Sequence, residues 1–135
     1  MTRTQARKNI FYLIFEQCFH KEDMGEIISA AIEARELEAD DYVNRIARGV
    51  SEHREELDQI ISPNLVGWRL DRLPKVSLCL MRLAVYEMRF CSDTPVGVAI
   101  NEAVELAKEF GGDDEPAYIN GVLGSIARKT EEPGS

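Results

Sequence analysis

The chain has 135 residues and a formal net charge of −8. Its length supports one domain, or two small helical sub-bundles, with a buried core and no metal or disulfide staple. Its charge argues against nonspecific nucleic-acid binding by the whole surface. Cys18, Cys79 and Cys91 show no C-x-x-C spacing, and with no secretory leader they read as reduced thiols of a cytoplasmic protein. The longest uncharged run, residues 116–127, is too short to span a membrane.

Apolar spacing predicts helices nearly throughout, and the period-two alternation of strands is missing. A first helix over 4–19 puts Ile10, Phe11, Ile14 and Cys18 on one face. A second, over 23–36, uses Ile27, Ile28, Ala31 and Ile32. The third starts after Asp40 as N-cap and runs through Val43, Ile46, Ala47, Val50, Leu57, Ile60 and Ile61 until "SPN" stops it. A short helical turn at "NLVGW" leads into a polar corner at 69–73. Pro74 opens a fifth helix, "KVSLCLMRLAVYEMRF", whose nearly all-round apolar surface marks it as buried on most sides.

Thr94 and Pro95 form the cap and first turn of the sixth helix. Its apolar face is Val96, Ala99, Ile100, Ala103, Leu106, Ala107 and Phe110, and Gly111 ends it. Asp114 caps the seventh, which packs through Ile119, Val122, Leu123 and Ile126. The expectation is an all-α fold of about seven helices in two packed sub-bundles. A single domain covers 1–130, and 131–135 form a disordered tail.

Several side chains stand out against this frame. Ala117, Gly121 and Gly124 share one stripe of the last helix, opposite Ile119, Leu123 and Ile126. Each interior glycine costs about 1 kcal/mol relative to alanine. The stripe therefore favours close approach, by a neighbouring helix of the same domain or by an external protein or RNA. Arg82 lies in the most apolar helix and requires a carboxylate; Glu102 is the expected partner in a structural ion pair, with Glu87 as alternative. Asn101 and Glu105, beside Lys108, form a solvated face or a docking face. "GGDDEP" (111–116) stops one helix and starts the next, its acids complementing the helix dipole, and it also makes an acidic corner for a basic protein.

Residues 1–15 hold Arg3, Arg7 and Lys8 and no acid, a local +3 on a chain that is otherwise −11. Cations in the first turns of a helix oppose its dipole. They point to an anionic partner such as phosphate, or to a basic terminus that aids solubility. No catalytic constellation is visible. Cys18 and His20 diverge by about 200° on a helix, and "HREE" at His53 is not the zinc pattern H-E-x-x-H. No enzyme activity, metal or cofactor is expected.

The segments "LMRLAVYEM" (80–88), "PVGVAINEAVELAKEFG" (95–111) and "YINGVLGSIA" (118–127), with the basic "RTQARKNIFYLIFEQ" (3–17), resemble the transcription antitermination factor NusB family over almost the whole chain. A related domain begins an rRNA cytosine methyltransferase, but here the chain ends before a catalytic domain, as a stand-alone factor would. The resemblance implies an all-α protein that pairs with the ribosomal protein NusE. The pair would bind boxA RNA and take part in the RNA polymerase antitermination complex during ribosomal RNA synthesis. It carries Arg3, Gln5, Arg7, Lys8, Phe15 and Asp114 over as RNA-binding candidates: the cations for phosphate, Gln5 for a base or sugar, Phe15 for stacking where relatives often have Tyr. Asn101, Glu105, Asp113 and Tyr118 are the partner-binding candidates. Gly124, where the family usually has Asp, and Pro116-Ala117, replacing a more polar pair, are departures. The alternative is a purely protein-binding helical scaffold or homodimer that makes no RNA contact.

Overall fold

The computed structural model describes residues 1–131, the last by its backbone only. Apart from that residue, the tail expected at 131–135 lies outside the described part. The helices are α1 (Arg3–Gln17), α2 (Met24–Arg35), α3 (Asp41–Glu52), α4 (Arg54–Ile61), α5 (Lys75–Phe90), α6 (Val96–Phe110) and α7 (Glu115–Glu131). Short 3-10 turns cover Ser62–Asn64 and Leu70–Arg72. No strand occurs among the described residues. The chain forms two compact units, one over residues 1–53 and one from Arg54 onward.

In the first unit, α1 packs on α2 and α3. It begins with a capping box: Thr2 Oγ1 accepts the Gln5 N–H at 3.1 Å, and Gln5 Oε1 accepts the Thr2 N–H at 3.0 Å. Asp23 caps α2, and Asp40 caps α3 by accepting the Val43 N–H at 2.9 Å, as its sequence position predicts. Ile10, Leu13, Val43 and Ile46 are fully buried, each worth about 1.5–3 kcal/mol of burial. Ile32, expected in this core, is instead 44% exposed. It lies on the solvent edge of the stripe formed by Met24, Ile27, Ile28 and Ala31.

The predicted third helix is two helices. It breaks at His53, the cap of α3 (φ −100°, ψ 14°), and α4 starts at the next residue. The helical turn expected around "NLVGW" falls earlier, as the 3-10 turn Ser62–Asn64, and residues 65–69 are irregular, with Gly67 at φ +78°.

In the second unit, α5 packs on α4, α6 and α7. Between Ser77 and Glu87 every residue except Arg82 is buried, as the sequence predicts. The expected Arg82–Glu102 pair does not form, nor does Arg82 pair with Glu87. Its guanidinium instead makes a two-pronged contact with Asp58 of α4, Nε to Oδ1 at 2.7 Å and Nη2 to Oδ2 at 2.8 Å. The break at His53 makes α4 a separate helix, and α4 lies against α5.

Two expected caps also differ. Pro95 occupies the cap position of α6, with no side-chain cap from Thr94. Asp114 makes no capping bond either. Glu115 instead reaches back to accept the Gly112 N–H, in the turn ahead of α7, while its Oε1 accepts the Ser77 hydroxyl at 2.7 Å.

Candidate nucleic-acid and partner surfaces

Helix α1 spreads its candidate residues over two faces. Arg3 lies on the side facing α3, its guanidinium carbon 3.6 Å from the centre of the Tyr42 ring. Gln5 and Lys8 line a cleft of about 640 Å3 with Met1, Asn9, Tyr12 and residues 35–38. The Gln5 carbonyl is committed to the capping box, so only its amide nitrogen can serve a further contact. Arg35, on the opposite wall, is held by Glu16 at 2.7 Å.

Arg7 does not belong to this surface. It is 4% exposed, which corrects the expectation that it presents a cation to phosphate. Arg7 shares the stripe of Ile10 and Ile14, and the core reaches as far as Ala6 (2% exposed), so the long aliphatic stem is enclosed. Phe15 is half-buried in a ladder, its ring 5.5 Å from Phe11 and 5.1 Å from Phe19. Phe19, 60% exposed, is the ladder's open end, and the sequence reading missed it.

The second unit carries another surface. Tyr118 donates its hydroxyl to Val66 O at 3.0 Å and accepts the Val66 N–H at 3.1 Å. That clip fixes a loop displaying Val66 (77% exposed) and Trp68 (49% exposed). Nearby, Arg69 donates to Asp71 at 3.1 and 2.7 Å and holds that exposed carboxyl below its usual pKa. Asp114 and Tyr118 share a cleft of about 490 Å3 with Trp68, Leu73, Pro74, Ser77, Glu115 and Ala117. Asp113 is exposed at the same corner. Asn101 and Glu105 are exposed on α6 outside that lining, with Glu105 paired to Lys108 at 3.1 Å. Local pattern does not single out Trp68, because Asp114, Glu115, Ala117 and Tyr118, which share its cleft, lie about fifty residues away.

Among the described residues no helix packs on the glycine stripe. A Cβ added to Gly121 would meet nothing within 4 Å, and one at Gly124 would meet only the Arg128 guanidinium, at 3.3 Å. The reading as an intramolecular helix contact is thereby corrected. Gly121→Ala should therefore stabilise the isolated chain by up to about 1 kcal/mol, visible as a raised midpoint in urea unfolding. A lowered midpoint would mean that the added methyl meets an obstacle.

Cys18, Cys79 and Cys91 form no disulfide. Among the described residues no helix is long and apolar enough to cross a membrane, and no group of three potential metal ligands is found.

These features define an all-helical binding protein, with arginine and aromatic side chains on one unit and an acidic, aromatic-lined cleft on the other. The sequence pattern of the NusB family matches residues 2–128, and the chain belongs to that family of transcription antitermination factors. It is 37% identical over 132 residues to the transcription antitermination protein NusB of Clostridium novyi (strain NT), covering 95% of this chain and 99% of that one. With the protein of the same name from Bacillus subtilis (strain 168) it is 39% identical over 132 residues, covering 98% and 99%. Among solved structures, T. maritima NusB superposes with a TM-score of 0.84 at 32% identity, covering 96% of this chain and 92% of that one. A structure of antitermination factors NusB and NusE in complex with dsRNA gives a TM-score of 0.84 at 27% identity, covering 94% and 96%. The family is not one of enzymes, in line with the sequence reading.

Proposed function

We propose that the chain is a cytoplasmic RNA-binding adaptor: it pairs with the ribosomal protein NusE, and the pair holds boxA RNA within the RNA polymerase antitermination complex. The observation that carries this reading is the placement of Arg3 at the exposed start of α1, whose first turn holds no acid, in a chain that is otherwise strongly acidic. A local cation in a repulsive overall field gives selective rather than general attraction for a phosphodiester strand. The acidic cleft with Asp114, Tyr118 and Trp68, together with the open glycine stripe, supports docking of a basic protein on the second unit. Asn101, Glu105 and Asp113 extend that docking surface, and Lys8, Gln5 and Phe15 accompany Arg3 on the RNA side.

Gel filtration of the chain with NusE, with and without a boxA oligonucleotide, tests the reading. The expected result is a binary complex that is strengthened by RNA and weakened by Arg3→Ala only when RNA is present. Indifference of the complex to RNA, with no RNA co-eluting, would leave the protein-only scaffold.

A further inference from the structure

We infer that Arg45 of α3 is a second phosphate-binding residue, forming with Arg3 a clamp mounted on the Tyr42 ring, so that the RNA surface continues from α1 onto α3. This deepens the RNA-binding reading above and rests on it. The Arg3 and Arg45 guanidinium carbons lie 3.6 and 5.6 Å from the centre of the same ring, and hence no more than about 9 Å from each other, inside one Debye length. Tyr42 is only 7% exposed, so the ring is a fixed platform rather than a mobile side chain. Both arginines are exposed, and neither pairs with a carboxylate among the described residues. Asp41, one turn before Arg45, makes no ion pair with it.

Two cations brought together without a counter-ion repel each other, and an anion arriving between them removes that repulsion. At 3.6 Å the Arg3 guanidinium lies at stacking distance on the ring, and at 5.6 Å the Arg45 guanidinium is within cation–π reach of it. Both charges are thus tethered to one rigid group, and a guanidinium fork suits bidentate contact with phosphate. Arg48, the next arginine along α3, is turned elsewhere: its Nη1 would lie 3.1 Å from a Cβ added to Gly25. It carries the same charge on the same helix and is therefore the control.

The test measures affinity of the full chain with NusE for a single-stranded boxA oligonucleotide between 50 and 200 mM salt, with thermal melts to confirm folding. Arg45→Ala should weaken binding roughly five-fold and reduce the slope of log affinity against log salt by about 0.7, the value for one phosphate contact on a single strand. Arg45→Lys should keep the slope and lose part of the affinity, and Tyr42→Phe should retain both. An unchanged affinity in Arg45→Ala, beside a loss in Arg3→Ala, would overturn the clamp while sparing the RNA reading. So would an equal loss in Arg48→Ala, which would indicate a diffuse field, or a weaker pairing with NusE in the absence of RNA. If the wild-type pair binds no RNA at all, the RNA reading itself falls, and the clamp with it.

Discussion

Asp58→Ala is expected to cost about 2–3 kcal/mol of stability, read as a lowered midpoint in urea unfolding followed by helical circular dichroism. The Arg82 and Asp58 side chains are 13% and 21% exposed, so the pair is substantially withdrawn from water, though not fully buried. Breaking a fully buried pair by removing one member costs roughly 3–5 kcal/mol, and residual hydration brings the figure down. The two members differ. Without Asp58, a guanidinium that cannot lose its charge is stranded on α5. Without Arg82, the carboxylate is closer to solvent and can rehydrate. Arg82→Met, which keeps the aliphatic stem packed, is accordingly expected to cost only about 1 kcal/mol. The double variant should lose less than the two single effects together, the mark of direct coupling. Glu102→Ala should leave the coupling between Asp58 and Arg82 intact; loss of that coupling in the Glu102→Ala background would make Glu102 part of the counter-ion.

That pair also shows what the sequence could and could not disclose. The core faces of α3, α5 and α6 followed from apolar spacing, because burial imposes a period that any helix must repeat. The break at His53 did not follow. Val50 and Leu57 are seven residues apart, which keeps helical phase across the interruption, so the pattern reads as one helix and does not single out Asp58 as a partner for Arg82. Arg7 failed for a related reason: its stripe was legible, but how far along that stripe the core extends depends on neighbours outside α1. Glycines announce a local cost without naming what approaches, and at Gly121 nothing among the described residues does. On the candidate surfaces, the basic character of α1 was legible from charge alone. The meeting of Arg3 with Tyr42 and Arg45, and of Tyr118 with Val66, joins residues about forty to fifty positions apart, where local pattern carries no information.

Gly111→Ala is expected to cost about 2–3 kcal/mol and to disturb the acidic cleft. The glycine has ordinary negative φ (−102°), so the requirement is space rather than backbone freedom. A Cβ there would lie 2.9 Å from Glu115 Oε2 and 3.0 Å from the Ala107 carbonyl oxygen. That carbonyl cannot yield easily, because it accepts the Gly111 N–H at 2.8 Å. Nor can Glu115 swing aside without releasing the Gly112 N–H and the hydroxyl of Ser77, which is only 1% exposed. Overpacking costs roughly 1–3 kcal/mol, and a buried hydroxyl left without its partner costs a similar amount; partial relaxation keeps the total below their full combination. Glu115→Ala removes the obstacle together with the anchor, so Gly111→Ala should be much less harmful in that background than in the wild type. Trp68 is the only tryptophan and lines the cleft into which Glu115 projects. Its emission should therefore shift in Gly111→Ala before global unfolding begins. Wild-type stability with unchanged emission would mean that the start of α7 tolerates a methyl group there, and that Glu115 does not fix the position of Asp114 and Tyr118.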